Sequence, residues 1–297
     1  MATEYGVKQI DKHRMRASFN RAAQHYDEAA ALQRTVGDNM LERLDDIRLA
    51  PTTILDVGAG TGYCAAALSK RYPQSEVILL DIAPAMLQHA RRKRSWREKL
   101  FSRKQLSVCA DAETLPLADS SVDMLFSNLT LQWCEDLAAT FTEFLRVLKP
   151  GGMLLFSSFG PDTLKELRNS WSSVDDHAHV HQFADMHDVG DALLFGGFAD
   201  PVMDVERYTL TYPDVHQLMR ELKTLGAHNA AHERAQGLTG CNKLRSMINV
   251  YEQYRVNGVL PASYEVVFGH AWAPAQPRSI SCGTINVELQ PKLTTPK

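Results

Sequence analysis

Only five of the 297 residues are cysteines: Cys64, Cys109, Cys134, Cys241 and Cys282. None of them stand in CxxC or zinc-type spacing. That argues against a disulfide framework or a zinc ribbon, and buried free thiols suit a reducing compartment, the cytoplasm. No apolar run approaches the roughly 18 to 20 residues that span a bilayer. The opening Met1-Ala2-Thr3-Glu4-Tyr5 lacks the apolar core of a signal peptide. Charge of one sign is missing as well. Lys and Arg number 32 against 35 Asp and Glu, a formal net charge of -3, which argues against a general nucleic-acid binder. No Ser, His and carboxylate are spaced for a hydrolytic triad. His177, His179, His181 and His187 cluster, but nothing else there resembles a metal-ligand set, so they read as a polar lid segment. What is left is ordinary: 44% hydrophobic and 23% charged residues, enough to bury a globular core.

Against that background one stretch stands out, Ile54-Leu55-Asp56-Val57-Gly58-Ala59-Gly60-Thr61-Gly62. A short apolar run meets an acid and breaks into alternating glycines before a helical segment. This predicts a buried strand feeding a tight turn whose backbone approaches a ligand closely. A second apolar run, Val77-Ile78-Leu79-Leu80, ends in Asp81, about twenty residues on, where a carboxylate suits the hydroxyls of a ribose. The spacing is GxGxG, not the GxGxxG that sets a helix N-terminus against a dinucleotide pyrophosphate. It resembles the S-adenosylmethionine loop of class I methyltransferases, whose ligand has no phosphate to cradle.

The regular beat continues. Strands are predicted at 53–57, 76–80, 106–110, 122–128 and 153–158, with helices after Gly62, over 84–93 and over 137–148. Alternation of this kind predicts a parallel sheet with helices on both faces and the ligand outside the strands' carboxyl ends. The glycine loop, Asp81, Asp111 and Asn128 all fall there. Before Pro51, residues 11–32 and 36–47 are helical in pattern, with a break near Tyr26-Asp27. After Pro161, helices over 163–171, 186–195, 215–225 and 244–255 alternate with strands over 203–212 and 264–272, giving a cap over the ligand end. The proline-bearing tail from Ala273 has little apolar periodicity.

Asp56 reads as a brace for loop N–H groups or as a contact to the ligand's amino group. Asp111 is placed to accept from an adenine amino group, with the Ala112 N–H beside it. Leu129 and Trp133 suit the methionine arm or the core. The basic run from Arg91 through Arg92, Arg94 and Arg97 is the densest charge block. It is either a solvated helix face or a steering patch for an acidic partner.

Several further segments narrow the resemblance: Phe19-Asn20-Arg21-Ala22-Ala23-Gln24-His25-Tyr26-Asp27, Asn128-Leu129-Thr130-Leu131-Gln132-Trp133-Cys134, Phe159-Gly160-Pro161-Asp162-Thr163-Leu164, His179-Val180-His181-Gln182-Phe183 and Leu222-Lys223-Thr224-Leu225-Gly226-Ala227-His228-Asn229. With the sheet motifs, they make the chain similar, from about Phe19 to Trp272, to the malonyl-acyl-carrier-protein O-methyltransferases of biotin synthesis. The resemblance implies a Rossmann-like class I methyltransferase fold with a mostly parallel seven-stranded sheet. An arm over residues 1–50 would cover the active site, and the main domain over 51–272 would carry cap insertions near 160–200 and 212–260. S-adenosylmethionine would be the methyl donor, held by Asp56, Gly58, Ala59, Gly60, Asp81, Ile82, Asp111, Ala112, Asn128 and Leu129. The acceptor would be the free carboxylate of a malonyl group on acyl carrier protein. Tyr26 would orient that carboxylate, Phe183 would close over it, and Lys223 or His228 would supply a positive partner. A related arginine-modifying assembly factor of the respiratory chain, a quinone or small-molecule methyltransferase and a non-enzymatic scaffold are the rival readings.

Overall fold

The computed structural model describes residues 10–93, 105–227 and 240–275. Strands β1 (Thr53–Val57), β2 (Glu76–Asp81), β3 (Leu106–Cys109), β4 (Val122–Ser127), β5 (Leu148–Phe159), β6 (Ala199–Tyr212) and β7 (Leu260–Trp272) make one sheet. Their order is β3-β2-β1-β4-β5-β7-β6. β1 to β5 pair in parallel, and β7 runs antiparallel between β5 and β6. The direction of strand addition reverses between β1 and β4, and a crevice opens at such a point.

The near-continuous apolar runs of β1 and β2 follow from burial on both faces. Ile54, Val77 and Leu79 join one core with Val36 and Met40 of α3 (Ala31–Arg43) and Ala65 and Leu68 of α4 (Tyr63–Arg71). Leu55, Val57 and Leu80 point the other way, onto Phe141, Phe144 and Val147 of the helix Leu137–Val147. Ahead of the sheet lie α1 (Lys12–Ala22) and α2 (Tyr26–Ala29). The Asp11 side chain caps α1 by accepting from the Arg14 N–H at 2.9 Å. The helical pattern breaks just before Tyr26 and again at Ala30, so Tyr26 opens a short helix of its own.

Several boundaries differ from the sequence reading. β5 begins at Leu148, and Pro150-Gly151-Gly152 lies within it. Gly151 takes φ +75°, and its N–H donates to Ala273 O at 3.0 Å while Ala273 N–H returns to Gly152 O at 2.8 Å. The bend is thus stitched to the chain after β7. Ala273, from which the sequence suggests a tail, is buried and hydrogen-bonded to the bend; positions beyond 275 lie outside the described residues. β6 begins earlier than expected, with an irregularity between Ala199 and Val202 around Pro201, which has no N–H to give. Helices α5 (Pro84–Lys93), α6 (Leu137–Val147), α7 (Lys165–Ser172), α8 (Met186–Phe195), α9 (Val215–Thr224) and α10 (Cys241–Tyr251) complete the described elements. Among the described residues no helix is long and apolar enough to cross a membrane.

Candidate active site

The glycine loop is held from beneath by the neighbouring strand. Gly58 and Ala59 both donate their N–H to the Leu80 carbonyl, at 2.8 and 3.0 Å. Gly58 has φ +72°, and a Cβ there would overlap the Thr130 hydroxyl; only glycine lets the loop lie this close to the turn after β4. Thr130 in turn donates to the Val57 carbonyl at 3.2 Å.

Asp81, at the tip of β2, accepts the Gly60 N–H at 2.9 Å with Oδ2 and the Ala83 N–H at 2.7 Å with Oδ1. Burial outweighs these bonds and lifts its carboxyl to about 6. Asp81 lines a cleft of about 860 Å³ together with Gly58, Gly60, Ile82, Asp111, Ala112, Asn128 and Leu129. Ala59 and Asp56 are not among the lining residues. Asp56 is 1% exposed, beneath the loop, and accepts the Ala65 N–H at the start of α4. Burial, then the charge of Asp81, raises it to about 7. Asp56 thus braces the start of α4 from beneath the loop.

Asp111 faces the cleft but is already engaged. Lys12 Nζ lies 2.6 Å from its Oδ2 and also contacts Glu113, while the Glu113 N–H reaches its Oδ1 at 3.1 Å. Glu113 accepts from the N–H groups of Glu135 and Asp136, and Glu135 from that of Ile10. Thus α1 is tied across one end of the cleft, and Met15 and Phe19 line it from that helix. Nothing in the spacing of Lys12 announced this role. Asn128 donates to the Gln33 carbonyl at 2.9 Å and accepts from the Ser157 hydroxyl at 2.8 Å, locking α3 to the strand tips. Leu129 sits at φ +51° with its N–H on Ser157, so its backbone is fixed in a conformation that non-glycine residues adopt rarely.

A second cavity of about 740 Å³ adjoins the first. The two share Gln33, Gln132, Trp133, Phe159, Leu225 and Ala227. Tyr26 lines only the first, and Phe183 only the second. Burial, then nearby Asp81 and Asp27, push the Tyr26 phenol above its ordinary value, so it is a hydrogen-bond donor at neutral pH. Phe183 meets Phe159 and His181 edge-on, both at 5.5 Å. Trp133 stacks beside His181 at 6.2 Å and takes the edge of Phe19 at 5.3 Å. Lys223, offered by the sequence as a positive partner, is exposed on α9 and lines neither cavity. His228, Arg94 and Arg97 lie outside the described residues. Arg91 and Arg92 are exposed at the end of α5.

The histidine-rich segment is anchored structurally. His179 stacks on Trp171 at 3.8 Å and pairs with Asp175 at 2.7 Å. Asp175 is held well below the ordinary carboxylate range chiefly by Lys243, whose Nζ is 2.9 Å away. Among the described residues no group of three or more His, Cys, Asp or Glu is placed to hold a metal.

Residues 55–156 match the family model described as a methyltransferase domain. A putative methyltransferase from Bacillus halodurans has the same fold at 17% identity, TM-score 0.57, over 81% of this chain and 99% of that one. The malonyl-[acyl-carrier protein] O-methyltransferase of Gallionella capsiferriformans is 54% identical over 90% of this chain and 92% of its own length. That of a Methylovorus species is 51% identical over 96% and 97%. Similarity of this degree along almost the whole length establishes that the chain belongs to the malonyl-[acyl-carrier protein] O-methyltransferase family.

Proposed function

We propose that this chain transfers the methyl group of S-adenosylmethionine to the free carboxylate of a malonyl thioester on acyl carrier protein, giving the methyl ester that opens pimeloyl and biotin synthesis. The observation that carries the proposal is the pair of joined cavities, one built from the strand tips and one from the cap, meeting at Gln33, Gln132, Trp133 and Phe159.

The first cavity suits the donor nucleoside. Gly58 lets the loop lie close against Thr130, where a Cβ would clash, and the Asp81 carboxylate lines the cleft at the tip of β2, where it suits ribose hydroxyls. S-adenosylmethionine supplies an electrophilic methyl on a positive sulfur. The acceptor asks little of a base, because a malonyl carboxylate is ionised at neutral pH. The protein's task is therefore alignment and exclusion of water.

Among the described residues neither cavity is lined by Lys or Arg. An anion meeting a sulfonium leaves two neutral products, so the acceptor's charge is consumed in the step itself. Neutral donors such as the Tyr26 hydroxyl orient the acceptor. The apolar wall around Phe159 and Phe183 shields the charges from water, which strengthens their attraction.

Carrier proteins are acidic, and we assign their docking to the basic end of α5, Arg91 and Arg92 with Arg94 and Arg97 beyond. The cytoplasm, where fatty-acid enzymes and their carrier work, is the proposed location. Mass spectrometry of malonyl carrier protein incubated with the enzyme and a labelled methyl donor tests the assignment. A gain of one methyl, removed by mild ester hydrolysis, is expected. Methylation of a small molecule or of an arginine side chain, with malonyl carrier untouched, would overturn it.

A further inference from the structure

Two carboxamides stand in the wall between the cavities. Gln33 in α3 and Gln132 just after β4 each line both spaces, and each has a buried Oε1 that accepts no hydrogen bond from the protein. Gln132 is 9% exposed, and its orientation is set. Its Nε2 donates to the Leu129 carbonyl at 2.7 Å, and turning the amide over would set two acceptors against each other. Oε1 is therefore the end of Gln132 that is left without a protein donor beside the shared wall.

A buried acceptor without a donor is unfavourable until something electron-poor meets it. A carboxylate does not qualify, since two oxygens would repel it. Two of the other shared side chains, Trp133 and Phe159, favour positive charge: they present aromatic rings at the same wall, and ring faces attract cations. We infer that Gln132 and Gln33 are transfer-site residues whose amide oxygens receive the positive methyl–sulfonium end of the donor, holding its reactive carbon at the passage into the inner chamber.

The inference rests on the methyl-donor reading above and deepens it. The contacts are charge–dipole and C–H···O in kind, weak singly and strengthened by the positive charge and the low local dielectric. Neutral oxygens suit the task better than a carboxylate would. They favour a cation over a neutral sulfur without binding it so firmly that losing its charge becomes the barrier.

Calorimetric titration of the full chain with S-adenosylmethionine and with S-adenosylhomocysteine tests this, because the two differ at the sulfur in charge and methyl group. Gln132→Met and Gln33→Met should each weaken binding of the charged nucleoside by about three- to tenfold. Binding of the neutral one should stay within about twofold, so the preference for the cation falls. A merely structural role would move both affinities together and overturn the inference. Gln132→Met also removes the Leu129 tie, so Gln33→Met carries the test if the first variant does not fold. An unchanged preference in a folded variant, even with a raised KM for malonyl carrier protein, overturns the inference and leaves the proposed reaction standing. A wild-type chain that binds neither nucleoside overturns the reading beneath it.

Discussion

Thr61, in the glycine loop, donates its hydroxyl to Asp27 Oδ1 at 2.6 Å. The contact ties the glycine-rich turn to the amino-terminal arm, next to Tyr26. Asp27 also meets Lys93 and, at 3.5 Å, His89 from α5. At the opposite end of the cleft Lys12 binds Asp111. Two polar clasps thus hold the arm across the strand tips.

Asp27→Ala should therefore loosen the arm and raise the dissociation constant for S-adenosylmethionine by about five- to twentyfold, the loss of one or two charge-assisted bonds. Titration calorimetry with a circular-dichroism control would read it. Burial raises the Asp27 carboxyl, but the bonds from Lys93 and Thr61 outweigh this and hold it below its ordinary value. A depressed acid stabilises the folded state above the unfolded pKa and loses that contribution as pH falls through the folded one. The Asp27 carboxylate should accordingly keep its charge throughout the neutral range and lose its contribution only in acid below the ordinary carboxylate range.

Tyr26→Phe removes one hydroxyl and little volume. If that hydroxyl orients the acceptor carboxylate, kcat should fall by roughly ten- to a hundredfold, the worth of a hydrogen bond to a charged group. Affinity for the methyl donor should barely move. Equal loss of both would assign the ring to packing, where it already meets Ala22, Ala23 and Met86.

Asp56 gives a pH prediction of opposite sign. It is buried, Oδ2 has no partner, and its carboxyl stands at about 7 against an ordinary 3.8. For a raised acid, stability is complete below the unfolded value and is lost as pH rises through the folded one. Asp56→Asn keeps an acceptor for the Ala65 N–H and never ionises. Its melting temperature should match the wild type near pH 4, draw ahead of it as pH rises to about 7, and keep a constant lead above that. Parallel curves across the range would mean that Asp56 is paired in solution.

Much of this fold is legible because its strands are buried on both faces. Runs such as Ile54–Val57 and Val77–Leu80 admit no other element between glycines and prolines, and Asp81 announces itself by position. The parts that are not legible depend on long-range contacts. Lys12 and Asp111 are 99 positions apart, and Gln33 reaches Asn128 across 95; neither pair has a local signature. Pro150-Gly151-Gly152 reads as a turn because the Ala273 backbone that pairs with it is invisible until the sheet closes. Lys223 looked functional from its neighbours along the chain, yet a helix turns each successive residue by about 100°, and its side of α9 faces out. The histidines of the cap follow the same logic: His179 is spent on Trp171 and Asp175, whereas His181 lines the inner chamber beside Trp133.

Arg91 and Arg92 stand in the last turn of α5, where positive charge complements the helix dipole whether or not anything docks there. Arg91 is exposed and donates to the Ser107 hydroxyl at 3.3 Å. The two roles separate cleanly. Reversing both charges should cost about 0.3–1 kcal/mol of stability per residue through the dipole alone. Loss of docking should in addition raise the apparent KM for malonyl carrier protein several-fold, leave kcat unchanged, and abolish most of the salt dependence that the parent shows between 50 and 300 mM, roughly the range over which screening shortens from 14 to 6 Å. Stopped-flow or steady-state kinetics at three salt concentrations would show it. A fall in melting temperature with an unchanged KM would leave Arg91 and Arg92 a role in helix stability alone and move the carrier to another face.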